Sequence, residues 1–306
     1  MIFLLESSLR NFRKVGVFFW LPASIGILGC GETDPGKMSP EERLTYAERI
    51  YRRDCAACHG EQGDGQGPEA YRLQTKPLAF TSGHFKFKST TSGQLPLDDD
   101  IFRSIAEGVP TTSMLPQAHL SDGEIRALVD YVKRFYPEFD SVSRARAVAV
   151  PTSPPRTDEL LQLGKEMYER AGCVKCHGSD GHGDGPAADS LRDYSGRPVD
   201  IPDLTYQPRK IGTDLEDLYR IIQTGMSGTP MPSYQGVFTE KQAWALVYYL
   251  DSIAVNKWPR GMMGLVEEEV IGMRIDMRAA HALMMRRRGM GRMMDRGMVR
   301  ERRKER

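Results

Sequence analysis

The chain has 306 residues, 42 of them Lys or Arg and 41 Asp or Glu, for a formal net charge of +1. No nucleic-acid module stands out from that balance. The total hides an asymmetry: residues 286–306 hold ten Lys and Arg and three Asp and Glu, a net of +7, so the rest carries about −6.

Arg10, Arg13 and Lys14 precede an uncharged run from Val15 to Gly29. Its fifteen residues fall short of the roughly 20 that a spanning helix needs and suit a signal-peptide core. The run ends Ile27-Leu28-Gly29-Cys30, which resembles a bacterial lipobox. Residues 1–29 are therefore expected to be a lipoprotein-type signal peptide, Cys30 the lipidated residue and 30–38 a tether. The alternative is an ordinary signal peptide with a stray thiol.

Ser39-Pro40-Glu41-Glu42 reads as a capping box with Pro at the first helical position, and Leu44, Ala47 and Tyr51 mark one face of the helix that follows. That helix runs into Cys55-Ala56-Ala57-Cys58-His59. A loop, Gly63-Asp64-Gly65-Gln66-Gly67-Pro68, comes next. Asp98 is placed to cap a short helix carrying Ile101, Phe102 and Ile105, with Gly108 as its stop. Met114 lies in Thr111-Thr112-Ser113-Met114-Leu115-Pro116. Ser121 to Glu124 is a second capping box, and Ile125, Leu128, Val129, Val132 and Tyr136 follow at helical period.

Residues 138–156, with Pro151, Pro154 and Pro155, read as a semi-extended linker. The pattern then repeats. Thr157 caps a helix with Leu160, Leu161, Gly164, Met167 and Tyr168, which leads to Cys173-Val174-Lys175-Cys176-His177. Gly181-His182-Gly183-Asp184-Gly185-Pro186 matches the first glycine loop at an offset of 118. Thr213 to Glu216 is expected to cap a helix with Leu215, Leu218, Tyr219 and Ile222, and Thr239 to Gln242 the last one, with Ala243, Leu246, Val247 and Leu250. Asp217-Leu218-Tyr219-Arg220 matches Asp100-Ile101-Phe102-Arg103 at an offset of 117. A period this long means two tandem domains, not a solenoid. The boundaries are set at 39–137 and 157–255, both all-α.

Cys-x-x-Cys-His is the attachment signature of c-type haem: two thiols add to the porphyrin vinyl groups, and the adjacent His lies under the iron. A structural zinc site would need further ligands at finger spacing, and a redox dithiol would want a βαβ setting. Neither follows here. Cys55, Cys58, Cys173 and Cys176 are thus the haem-bearing cysteines, with His59 and His177 as proximal ligands. Met114 follows His59 by 55 residues, and Met231, in Gly228-Thr229-Pro230-Met231-Pro232, follows His177 by 54. A lone Met is usually a core filler. Two at near-equal offsets, each in a Pro-bearing loop before a helix, are expected as the second axial ligands. His84, His119 and His182 are the competing ligands, each read instead as a loop or surface residue.

On these motifs the chain resembles the class I cytochromes c, as a tandem dihaem member with two haem c irons. The resemblance implies that Ala47 and Gly164 are the small residues where the first helix of each domain packs on an aromatic of the last. It also implies that the Pro68 and Pro186 carbonyls accept a hydrogen bond from the proximal histidines, which would orient the ring and raise its basicity. Lys86, Lys88, Ser89, Thr90, Arg209 and Lys210 are candidates to meet the haem carboxylates. Members of the family are typically matured outside the cytoplasmic membrane. The expected location is therefore the periplasmic side of a bacterial membrane.

Beyond Trp258 the composition shifts, and ten of the sixteen methionines lie between Met262 and Met298. Val266, Val270, Met273, Met277, Ala280 and Met284 step as an amphipathic helix. The tail of 256–306 is expected to be partly helical, and its basic end suits an acidic partner or anionic lipid. The leading function is single-electron transfer between a redox donor and acceptor, with a membrane respiratory complex as partner. The alternative is a dihaem redox enzyme, peroxidase-like or a sulfur-compound oxidase, with one open haem. A third reading is an assembly or sensor protein that works through the tail.

Overall fold

The computed structural model describes residues 34–73, 75–141 and 145–257. The expectations for the signal segment, for Cys30 and for the Met- and Arg-rich tail after Lys257 lie outside the described residues.

Local capping chemistry starts most helices where the sequence places them. Ahead of α1 (Pro40–Asp54), the Glu42 N–H donates to the Ser39 hydroxyl at 3.3 Å, and the Ser39 N–H donates to the Glu42 carboxylate at 2.9 Å. Just beyond it, α2 (Ala56–His59) is a single turn that carries the first haem motif. α3 (Asp98–Ala106) has its cap one residue earlier than expected: the Asp100 carboxylate accepts the Leu97 N–H at 2.9 Å, so Leu97, not Asp98, is the cap. Ser121 closes a second reciprocal box with Glu124 ahead of α4 (Asp122–Lys133). A short turn, α5 (Glu138–Ser141), follows.

The second half repeats the order. Thr157 caps α6 (Asp158–Arg170), accepting the Leu160 N–H at 3.3 Å. α7 (Val174–His177) is the second haem turn. α8 (Leu215–Thr224) begins after Asp214 and not Thr213, and the Asp214 side chain makes no capping hydrogen bond. Thr239 and Gln242 form the box of α9 (Glu240–Ile253). Two-residue strands, β1 (Tyr206–Gln207) and β2 (Asn256–Lys257), pair in parallel with Tyr206 opposite Asn256. The architecture is the expected all-α one, in two successive helical halves.

Each half closes around its own apolar core. α1 packs on α4, and α6 on α9. Ile50, Tyr51, Ile101, Leu128 and Val129 fill the first core, and Tyr168, Leu218, Ile222, Leu246 and Val247 the second. Each large apolar side chain buried this way contributes about 1.5–3 kcal/mol. Ala47 is fully buried in α1. At the matching place in α6, Gly164 lies against the Ala245 carbonyl, and a methyl added to it would lie 2.7 Å from the Tyr249 Cβ.

From Pro35 onward the described residues form one compact unit. Arg103 of α3 donates to Asp217 of α8 at 2.7 Å, and Arg220 meets the same carboxylate at 2.9 Å. The segment before α6 is bonded to both halves. Its Val148 N–H donates to the Ser89 carbonyl at 2.7 Å, and the Pro151 carbonyl accepts from the Trp244 indole at 3.2 Å. The Pro154 carbonyl accepts from the Tyr248 hydroxyl, and Arg156 pairs with Asp251. Among the described residues, no helix is long and apolar enough to cross a membrane.

Candidate haem sites

Both Cys-x-x-Cys-His turns are held from two sides. The Tyr51 hydroxyl donates to the Gly60 carbonyl at 2.7 Å, and Tyr168 does the same to Gly178 at 2.7 Å. The glycine loops lie across the carbonyl end of each turn. Gly65 and Gly67 donate to the His59 and Cys58 carbonyls at 2.8 and 3.1 Å. Gly183 and Gly185 donate to His177 and Cys176 at 2.8 and 3.2 Å. These bonds satisfy carbonyls that a one-turn helix leaves open. A methyl on Gly67 would lie 2.5 Å from the Ala57 carbonyl oxygen, so the close approach requires glycine there.

That use of the loops corrects the expectation for the proximal histidines. The His59 Nδ1 lies 3.1 Å from the Leu78 carbonyl, not that of Pro68. Pro68 belongs to the loop that caps the turn, and the chain returns ten residues later to reach the ring. In the second half the carbonyl that bears on His177 is Pro202, not Pro186, and it falls short of a full hydrogen bond. The His59 ring also stacks on Phe80, with centroids 4.6 Å apart. Burial holds both imidazoles below their ordinary range, outweighing the Leu78 and Pro202 carbonyls. Neutral rings are the form that ligates a metal.

The two methionine loops share one design. The Met114 N–H donates to the Thr112 hydroxyl at 3.1 Å, and that hydroxyl donates to the Val109 carbonyl at 2.7 Å. The Met231 N–H donates to Thr229 at 3.3 Å, and Thr229 to the Met226 carbonyl at 2.9 Å. Val109 and Met226 N–H groups close each loop onto the carbonyls of Met114 and Met231. Both loops hold a left-handed residue at the same place: Gly228 has φ +74°, while its counterpart Thr111 takes φ +62°. A β-branched residue there carries strain of about 1–2 kcal/mol.

Cys55, Cys58, His59 and Met114 line a cavity of about 2220 Å³, and Cys173, Cys176, His177 and Met231 line the same cavity. The three competing histidines are not among its lining residues. His119 lies 3.0 Å from Asp54, His182 3.3 Å from Asp203, and His84 packs on Tyr194. Burial first, and Asp54 next, push the Cys55 thiol up to about 12. Burial raises the Cys173 thiol as well, with the Tyr234 hydroxyl working against it.

The cavity fits a covalently held haem. Two polar atoms buried at its wall, His177 Nδ1 and Arg209 Nε, have no hydrogen-bond partner among the described residues. Arg209 is 8% exposed and donates through Nη2 to the Leu250 carbonyl at 2.8 Å, while its Nε stays without a partner at the cavity wall. Lys86 and Lys210 also line the cavity. The other carboxylate candidates turn inward: Lys88 donates to the Thr90 carbonyl and hydroxyl at 3.2 Å, Ser89 to Asp100 and Thr90 to Leu95. The tyrosine and threonine props escape a reading of the sequence, although their near-equal spacing from Cys and Met in both halves is an available signal.

A helical chain whose two Cys-x-x-Cys-His turns and two loop methionines line one cavity fits a haem c protein of electron transfer. Residues 161–254 match the family model for cytochrome c, and residues 42–132 that for cytochrome c oxidase, cbb3-type, subunit III. Cytochrome c55X of Paracoccus denitrificans (strain Pd 1222) is 35% identical over 104 residues, which are 34% of this chain and 81% of that protein. A chain of the Kuenenia stuttgartiensis reducing HAO-like protein complex Kustc0457/Kustc0458 superposes with a TM-score of 0.67 at 36% identity, covering 68% of this chain and 95% of its own. The chain belongs to the class I c-type cytochromes.

Proposed function

We propose that this cytochrome carries two haem c groups and passes single electrons between redox partners. Cys55 and Cys58 hold one haem, Cys173 and Cys176 the other. His59 with Met114 and His177 with Met231 are the residues that would ligate the two irons. The observation that carries the reading is the single cavity lined by both sets. Bound there, the iron supplies a ferric–ferrous couple, and a Met ligand raises its potential.

The chain's own residues set the conditions. Tyr51 and Tyr168 hold each turn, and Thr112 and Thr229 aim each methionine backbone. Fixed ligands keep reorganisation small between oxidation states. Arg209, with Lys86 and Lys210, offers charge to haem carboxylates. A membrane-side oxidoreductase is the proposed partner, and the similarity to a chain of an HAO-like complex supports a role as an electron-transfer subunit. Export to the periplasmic side, with a lipid on Cys30, completes the reading.

The test adds carbon monoxide to the reduced, purified protein, with intact mass read in parallel. Two haem masses and an unchanged main absorption band are expected. One haem mass would refute the stoichiometry. A shift in about half the haem would favour the redox-enzyme reading with one open iron.

A further inference from the structure

His84 belongs to the first half but packs against the distal loop of the second. Its ring centroid lies 4.4 Å from that of Tyr194. The Tyr194 N–H donates to the Gly228 carbonyl at 2.9 Å. Gly228 stands three residues before Met231. A methyl on Gly228 would lie 2.8 Å from Tyr194 Cδ1 and 2.9 Å from His84 Cβ. The site therefore combines a left-handed backbone with a contact that admits no side chain. The loop is held from within by Thr229, from its own half by Tyr194 and from the other half by His84.

We propose that His84 is a positioning residue for Met231: with Tyr194 it latches the second distal loop, so that closure of the second iron depends on the docked first half. The proposal rests on Met231 being an axial ligand. Its chemical consequence is that small neutral ligands such as carbon monoxide are kept off one iron by a residue of the other domain.

The test compares carbon monoxide binding by reduced, full-length holoprotein with His84→Ala, His84→Phe, Tyr194→Ala and Met231→Ala. Met231→Ala is expected to open half the haem. If it does not, the ligand assignment fails, and the latch fails with it. If it does, His84→Ala and Tyr194→Ala should each speed binding at that half by about tenfold, the worth of an aromatic pair of this kind. Both should also weaken the methionine-to-iron band of the ferric protein. His84→Phe keeps a ring against Tyr194 and should stay near wild type. A His84→Ala protein as closed as wild type, with its band intact, overturns the proposal, as does a response in only one of the two alanine variants.

Discussion

Replacing Gly164 by Ala sets two effects of opposite sign against each other. Gly164 lies within α6, and helix propensity alone favours Ala there by about 0.8–1 kcal/mol. Packing opposes it. A methyl would run into the Ala245 carbonyl oxygen and lie 2.6 Å from its carbonyl carbon and 2.7 Å from Tyr249 Cβ. Two of these atoms are backbone, so relief requires α6 and α9 to separate. Overpacking of a tight core costs about 1–3 kcal/mol, and more where backbone must move. The upper end applies here, which leaves a net loss of about 2 kcal/mol and a Tm lower by roughly 4–8 °C. The measurement is thermal unfolding of the holoprotein followed by far-UV circular dichroism. A Tm unchanged or raised would mean that the helices do not touch at Gly164, and the packing argument would be wrong.

Three further outcomes follow from single contacts. Tyr168→Phe leaves the buried Gly178 carbonyl without its donor and should cost about 1–3 kcal/mol in denaturant unfolding; no loss would remove the hydroxyl from the account. Thr111→Gly should stabilise by up to about 1 kcal/mol, because it relieves a left-handed β-branched residue; an ordinary loop substitution to Gly would destabilise. Burial lowers Lys88 to about 8. A base depressed on folding favours its neutral form in the native state, so stability is full above the unfolded value and lost as pH falls through about 8. Wild type should therefore gain stability relative to Lys88→Met as pH rises from about 8 to about 10. A flat difference across that window would refute the burial cost.

Signals local in sequence carry furthest. Ser39, Ser121, Thr157 and Thr239 cap their helices because a hydroxyl and an N–H three residues on need nothing else. Asp98 misses by one residue because the Asp100 carboxylate takes the Leu97 N–H, and Thr213 misses by one because α8 starts after Asp214 without any side-chain capping bond. Pro68 and Pro186 are poor guides to the histidine acceptor, since the glycine loop is committed to the turn's own carbonyls. Lys88 reads as a basic loop residue, yet three nearby oxygens draw it inward. His84 has no counterpart in the second half, and its contact with Gly228 crosses 144 positions, beyond the reach of any local pattern.

The bonded segment between the halves has a kinetic meaning. A loose connection would let two domains wander, and each exchange between them would wait for a diffusive encounter. Here Val148, Pro151 and Pro154 fasten the crossing chain at intervals, to Ser89 on one side and to Trp244 and Tyr248 on the other. If the chain holds the two haems proposed above, transfer between them in such a body would be set by a constant separation and should be indifferent to solvent viscosity, which would leave encounter with outside partners as the step that viscosity slows.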